Sequence, residues 1–122
     1  MPIVDIEIVG DVTKPVAGML SQALADGAGR VFASPPARTW VRVRTIARDS
    51  YAENGIAVAP SNEPVFVRVL KRQVPERSEL AREITALTQV IASTVGRPMD
   101  QVHVEYAAAA AGRMAFGGNL VE

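Results

Sequence analysis

The sequence predicts an α+β fold made of a duplicated β-α-β unit, with a four-stranded sheet and two helices on one of its faces. Three observations carry this expectation. The opening Pro2-Ile3-Val4-Asp5-Ile6-Glu7-Ile8 returns as Pro64-Val65-Phe66-Val67-Arg68-Val69-Leu70, so one strand pattern begins both halves. Each copy is followed by apolar residues at helical spacing and then by a second short strand-like run, the order of a β-α-β unit. A length of 122 residues with 48% hydrophobic side chains suits one domain with a real core. The repeats run over residues 2–59 and 64–122 of a single domain, 1–122. Neither repeat is expected to stand alone, because a piece of about 60 residues buries too little surface.

In residues 3–9, Val4, Ile6 and Ile8 point one way and Asp5 and Glu7 the other, the pattern of a strand with one buried face. Gly10-Asp11 turns the chain. Thr13 is placed to cap a helix with Pro15 in its first turn. Val16, Met19, Leu20, Ala23, Leu24, Ala28 and Val31 supply its apolar stripe. Gly18, Gly27 and Gly29 weaken that helix intrinsically, so packing must hold it, and Pro35-Pro36 ends it. The second strand is expected at residues 39–46, with Val41 and Val43 toward the core and Trp40, Arg42 and Arg44 on the other face.

Residues 47–63 are a connection rich in turn formers, among them Gly55, Pro60, Ser61 and Asn62, with a short arm at Ile56-Ala57-Val58. The third strand, Pro64 to Lys71, is the most apolar and is expected in the centre of the sheet. Lys71-Arg72-Gln73-Val74-Pro75-Glu76-Arg77-Ser78 follows as the most basic short stretch. It lies between a strand end and a helix start, where backbone N–H groups and the helix dipole favour anions. Leu80, Ile84, Leu87, Ile91 and Val95 make the stripe of the second helix. Gly96 closes that helix and Pro98 prevents its continuation. Val102–Tyr106 is the fourth strand. Five alanines, Ala107 to Ala111, lead into Gly112-Arg113-Met114-Ala115-Phe116-Gly117-Gly118-Asn119-Leu120, expected as a loop and short hairpin that packs on a neighbouring subunit.

Composition narrows the function. Thirteen basic and thirteen acidic side chains cancel, so no broad field for nucleic acid or membrane surfaces is expected. The absence of Cys removes disulfides, thiolate catalysis and zinc–sulfur sites, and one His is too few for a histidine metal centre. No apolar run is long enough to span a bilayer and no leader pattern opens the chain. A cytoplasmic protein without metal or cofactor is the expectation.

Pro2 is the candidate reactive residue. A small residue after the initiator methionine usually permits removal of that methionine, which would leave Pro2 as a secondary amine. An α-amino group titrates at about 7.7–8.0 when unperturbed. A dry pocket with cationic neighbours lowers that value, so the amine can be a free base at neutral pH and carry protons. The bland alternative is a proline that merely begins a strand. Tyr106, at the end of the fourth strand, offers a hydroxyl that can donate in such a site. His103, alone on its strand, reads as structural or solvated.

Met1-Pro2-Ile3, the tandem β-α-β repeat and the tail Gly112-Arg113-Met114-Ala115-Phe116-Gly117-Gly118 together resemble the tautomerase superfamily. The likeness is to 4-oxalocrotonate tautomerase in a fused, double-length form, and it covers nearly the whole chain. The resemblance implies a ferredoxin-like tautomerase fold assembled as a homotrimer, with catalysis by the amino-terminal proline and no cofactor. It implies Pro2 as that proline. Arg42, in Trp40-Val41-Arg42-Val43, falls where the short enzymes carry a substrate-binding arginine. Arg72 and Arg77 fall in the turn where double-length relatives place a carboxylate-binding pair. Met114 and Phe116 fall where an apolar wall covers the proline. Asp11 departs from an arginine of the short enzymes, and Pro64 cannot copy Pro2 because its nitrogen is a tertiary amide.

The function implied is keto–enol tautomerisation of small 2-oxo acids or enol carboxylates. The rival is a non-catalytic trimer of the same fold that binds small anions or an interaction partner. Dehalogenase or hydratase chemistry ranks below both. A cis-3-chloroacrylate dehalogenase-like enzyme would carry a histidine near residues 25–29 and a glutamate near Met114-Ala115. A malonate semialdehyde decarboxylase-like enzyme would carry an aspartate near Pro36-Ala37-Arg38.

Overall fold

Alternation of small β-branched residues with charged ones makes each half begin as a strand, and the apolar stripes that follow make it return as a helix. A computed structural model of the chain describes residues 1–12, 17–57 and 62–122. In order these form β1 (Ile3–Val9), α1 (Ala17–Val31), β2 (Trp40–Ile46), β3 (Val65–Leu70), α2 (Arg77–Val95) and β4 (Val102–Tyr106). A small hairpin, β5 (Ala115–Phe116) and β6 (Asn119–Leu120), follows. The main sheet has the order β2-β1-β3-β4. β1 runs parallel to β2 and β3 parallel to β4, while the central pair β1–β3 is antiparallel. Two β-α-β units are thus joined through the two strands that share the repeated sequence, and β3 is central as expected.

Val4, Ile6 and Ile8 of β1 and Val65, Val67 and Val69 of β3 are buried on one sheet face. Leu20, Leu24 and Ala28 of α1 and Leu87, Ile91 and Ala92 of α2 close over them. The helices approach closely at Gly27, where a Cβ would run into Val90 Cγ1. The glycine that weakens α1 as an isolated helix is therefore what lets α1 pack on α2. Gly96 ends α2 in the left-handed region, φ +80°, with its N–H on Ala92 O at 2.9 Å.

Several expectations shift. Met19 and Ala23 belong to the expected stripe of α1 but are exposed. The buried line is Leu20, Leu24, Ala28, and Met19 sits a helical step of about 100° away from it. β2 starts at Trp40 and β3 at Val65, each one residue inside its expected start. The expected cap at Thr13, with Pro15 and Val16, lies outside the described residues, as do Val58, Pro60 and Ser61 of the long connection. Of the expected arm, the described part shows a single bridge, Glu53 to Ile56, turning at Gly55.

At one end of the sheet, charge is buried. Glu63, 6% exposed, pairs with Arg48 and with Arg97 at 3.5 Å. Arg97 also donates to the carbonyls of Val9, Glu63 and Asp11 at 2.9, 2.7 and 3.0 Å. It thereby ties the chain just past the Gly96 cap of α2 to the end of β1 and the approach to β3. Gly10, φ +84°, leaves room for the Glu63 carboxylate, which any Cβ there would overlap.

Candidate active site

The opposite end of the sheet holds Pro2 and some of the other sequence-predicted residues. Register sets it: Ile3 pairs with Trp40 on one side and with Leu70 on the other, and Val69 pairs with Tyr106. Pro2, the residues before Trp40, the Lys71–Arg72 step and the end of β4 therefore share one rim. The basic turn begins at the Pro2 end of the sheet because β3 is antiparallel to β1, which brings the end of β3 beside the start of β1.

Pro2 is buried, and its carbonyl accepts the Trp40 N–H at 3.0 Å. The amine of Met1, just outside it, is held below its ordinary value by burial first and by the charge of Arg38 second. Both influences disfavour the ammonium form.

Phe116 of the tail stands edge-on to Trp40, ring centroids 4.7 Å apart and planes at 86°. The tail thus meets Trp40 of its own chain. Gly117 and Gly118, both at positive φ, make the two-residue turn between β5 and β6. Met114 is half-buried in the same tail, its N–H on Ala110 O at 3.1 Å and its carbonyl accepting Val121 N–H at 2.8 Å. The alanine run is a strap rather than a helix. Ala110 N–H and Ala111 N–H donate to Lys71 O and Arg72 O at 2.9 and 3.1 Å, which fixes the tail to the basic turn.

The cations of the turn differ in what they touch. Lys71 Nζ lies 2.8 Å from Glu83 Oε1, with both side chains mostly buried, and 5.1 Å from the centroid of the Phe32 ring. Arg72 Nε donates to Glu122 O. Arg77 is exposed at the first position of α2. The helix start itself is occupied. Glu76 accepts Ser78 Oγ–H at 2.9 Å and Ser78 N–H at 3.3 Å, bonds that hold its carboxyl below the ordinary range. Attraction for an external anion here falls to the arginine side chains more than to the backbone.

Arg42 and Tyr106, like Arg72, already have partners. Arg42 lies on the outer sheet face and makes a bidentate pair with Asp5, 2.6 and 2.9 Å. Asp5 is three residues along β1 from Pro2, about 10 Å at strand spacing. Tyr106 turns to the helix side and donates its hydroxyl to Glu83 Oε2, and burial, reinforced by that carboxylate, pushes its pKa well up. His103 is exposed beside Phe66, ring centroids 5.6 Å apart. Arg38, Glu83 and the contact of Trp40 with Phe116 were not singled out by the sequence reading. A signal for Arg38 exists: parallel neighbours in a β-α-β unit begin at the same sheet end, so the residues before β2 must face those before β1.

One solved structure that aligns with the chain is described as "Q0 fused 4-OT wild type symmetric trimer". The TM-score is 0.79 at 19% identity, covering 98% of this chain and 94% of the other. The chain has the tautomerase-superfamily fold. "Pt0534 Inactivated by 2-Oxo-3-pentynoate" matches at TM-score 0.77 and 17% identity, over 98% and 94% of the two chains. Macrophage migration inhibitory factor from Oncomelania hupensis matches at 0.76 and 16%, over 100% and 83%. At such identities the likeness establishes the tautomerase fold and not the reaction. No protein-family model and no curated protein matches this sequence.

Proposed function

We propose that the chain is a cofactor-independent tautomerase of small 2-oxo acids and enol carboxylates, with a free Pro2 amine as general acid and base. The observation that carries this reading is the register. It puts the start of β1, with Pro2 buried just before it, between the strand that follows Arg38 and the strand that leads into Lys71, Arg72 and Arg77. Removing a proton α to a carbonyl builds negative charge on oxygen, and fixed cations beside a neutral amine stabilise that charge. Pro2 takes the proton from one carbon and returns it to another, with Trp40, Phe116 and Met114 limiting water. Arg72 and Arg77 receive the substrate carboxylate.

The chain is further proposed to assemble as a homotrimer in the cytoplasm. Support comes from two neighbours described as trimers and from the uncovered outer sheet face, where Asp5–Arg42, Glu7–Arg44 and Arg68–Glu105 are paired. Light scattering at micromolar concentration showing a monomer would remove that part. Among the described residues no helix is long and apolar enough to cross a membrane.

The test is a panel of enol carboxylates followed by loss of the enol absorbance, using protein whose intact mass shows that Met1 is gone. Turnover is expected. Binding without turnover would favour the small-anion-binding rival. Arg72→Ala and Arg77→Ala are each expected to raise KM about tenfold, the loss of a charged hydrogen bond. Unchanged kinetics in both single variants and in the double variant would remove these arginines from the site.

A further inference from the structure

The arginines of the described residues divide by what they meet. Arg42, Arg44, Arg48, Arg68 and Arg97 each lie within ion-pair reach of a carboxylate. Arg30, Arg38, Arg72, Arg77, Arg82 and Arg113 make no ion pair with a carboxylate side chain among the described residues, and of these Arg38 is the one on the turn that leads into Trp40, whose N–H binds Pro2 O. Its place is set by backbone contacts. Parallel pairing of Ile3 with Trp40, and the bond from Trp40 N–H to Pro2 O, put the turn before β2 against the start of β1. Arg38 N–H closes on Pro35 O at 3.2 Å, and Trp40 Nε1–H closes on Ala37 O at 3.0 Å. Ala37 is held at φ +65°, a left-handed conformation that an alanine enters only when its surroundings demand it. The turn is thus built, and what it presents is a cation without a carboxylate.

We propose that Arg38 is a catalytic residue of this site, donating to the enolate oxygen of the substrate from the β2 side of Pro2. The proposal rests on the tautomerase reading above. In a 2-oxo acid, the carbon that gains or loses the proton is bonded to the carbonyl carbon. The turn that bears Arg38 abuts the start of β1, so its cation is on the side where that oxygen becomes charged. Arg42, on the strand itself, is already neutralised by Asp5 and stands about three residues along β1 from Pro2. The two sides of the rim divide the work: Arg72 and Arg77 hold the carboxylate, and Arg38 meets charge that develops only as the proton moves. An interaction made mainly in the transition state acts on kcat.

Arg38 is exposed, so its replacement leaves the fold intact. In protein with a free Pro2, Arg38→Gln is expected to lower kcat for an enol carboxylate by about tenfold or more while KM stays within about threefold. The Pro2 amine pKa, followed by nitrogen NMR, rises in the same variant, and Arg38→Lys recovers part of both. An active wild-type protein whose Arg38→Gln variant keeps its kcat, or changes only KM, overturns the role of Arg38 and leaves the tautomerase reading standing. A wild-type protein that turns over no enol carboxylate overturns that reading, and the role of Arg38 with it.

Discussion

Glu63→Ala is expected to cost the fold about 3–5 kcal/mol, because it leaves Arg97 and Arg48 without their carboxylate at a buried position. Against a total stability of about 5–15 kcal/mol for a domain, that is about a fifth or more of what holds the chain folded. Gly10→Ala reaches the same cluster from the other side. It puts a Cβ where the Glu63 carboxylate lies and forces an alanine to φ +84°. Its cost is expected to be similar, and part of it vanishes when Glu63 is already alanine, since the overlap is then gone and only the backbone strain remains. Denaturant unfolding of the two single variants and the double variant, at one protein concentration, measures that coupling. Strict additivity of the two costs would mean that Gly10 and Glu63 do not share space.

A chain that keeps a residue ahead of Pro2 is expected to lose about 10²–10⁴-fold in kcat, the contribution of a positioned acid–base group. The proline nitrogen is then a tertiary amide with no basic lone pair. Pro2→Ala with Met1 removed keeps a primary amine in the same place and retains a small part of the activity. The pH dependence follows from the direction of the amine shift. Burial and Arg38 favour the uncharged form of the Met1 amine, and the same two influences acting on a Pro2 amine make its base available above a lowered pKa. Activity falls as pH drops through that value, because protonation removes the base. In Arg38→Gln the same limb moves to higher pH.

The strand faces were legible because alternation needs only nearest neighbours: Val4, Ile6 and Ile8 are buried, and Asp5 and Glu7 point away from the core. The close of α2 at Gly96 was legible for the same local reason. Met19 was misplaced because α1 offers two adjacent apolar lines, and only the position of the sheet decides that Leu20, Leu24 and Ala28 form the buried one.

At the site, the strand position of Arg42 was legible, but its partner was not. Asp5 becomes its neighbour through the register of β1 and β2. The same limit hid Glu83, which takes Lys71 and Tyr106 from two different strand ends. It also hid the Glu63–Arg97 pair, which no local pattern joins. Pro2 and the Lys71–Arg77 turn were named from residue types, while their meeting at one rim depended on the antiparallel pairing of β1 and β3.

The central claim is that a free Pro2 amine moves the proton, and one titration tests it most directly. Protein shown by intact mass to begin at Pro2 is labelled with ¹⁵N at proline, and the Pro2 resonance is followed with pH beside kcat/KM for an enol carboxylate. The account predicts that the amine pKa lies below the usual α-amino value of about 7.7–8.0 and coincides with the acidic limb of the rate profile. Full turnover by a chain with Met1 demonstrably in place, or an acidic limb separated from the Pro2 titration by more than about one pH unit, would contradict it.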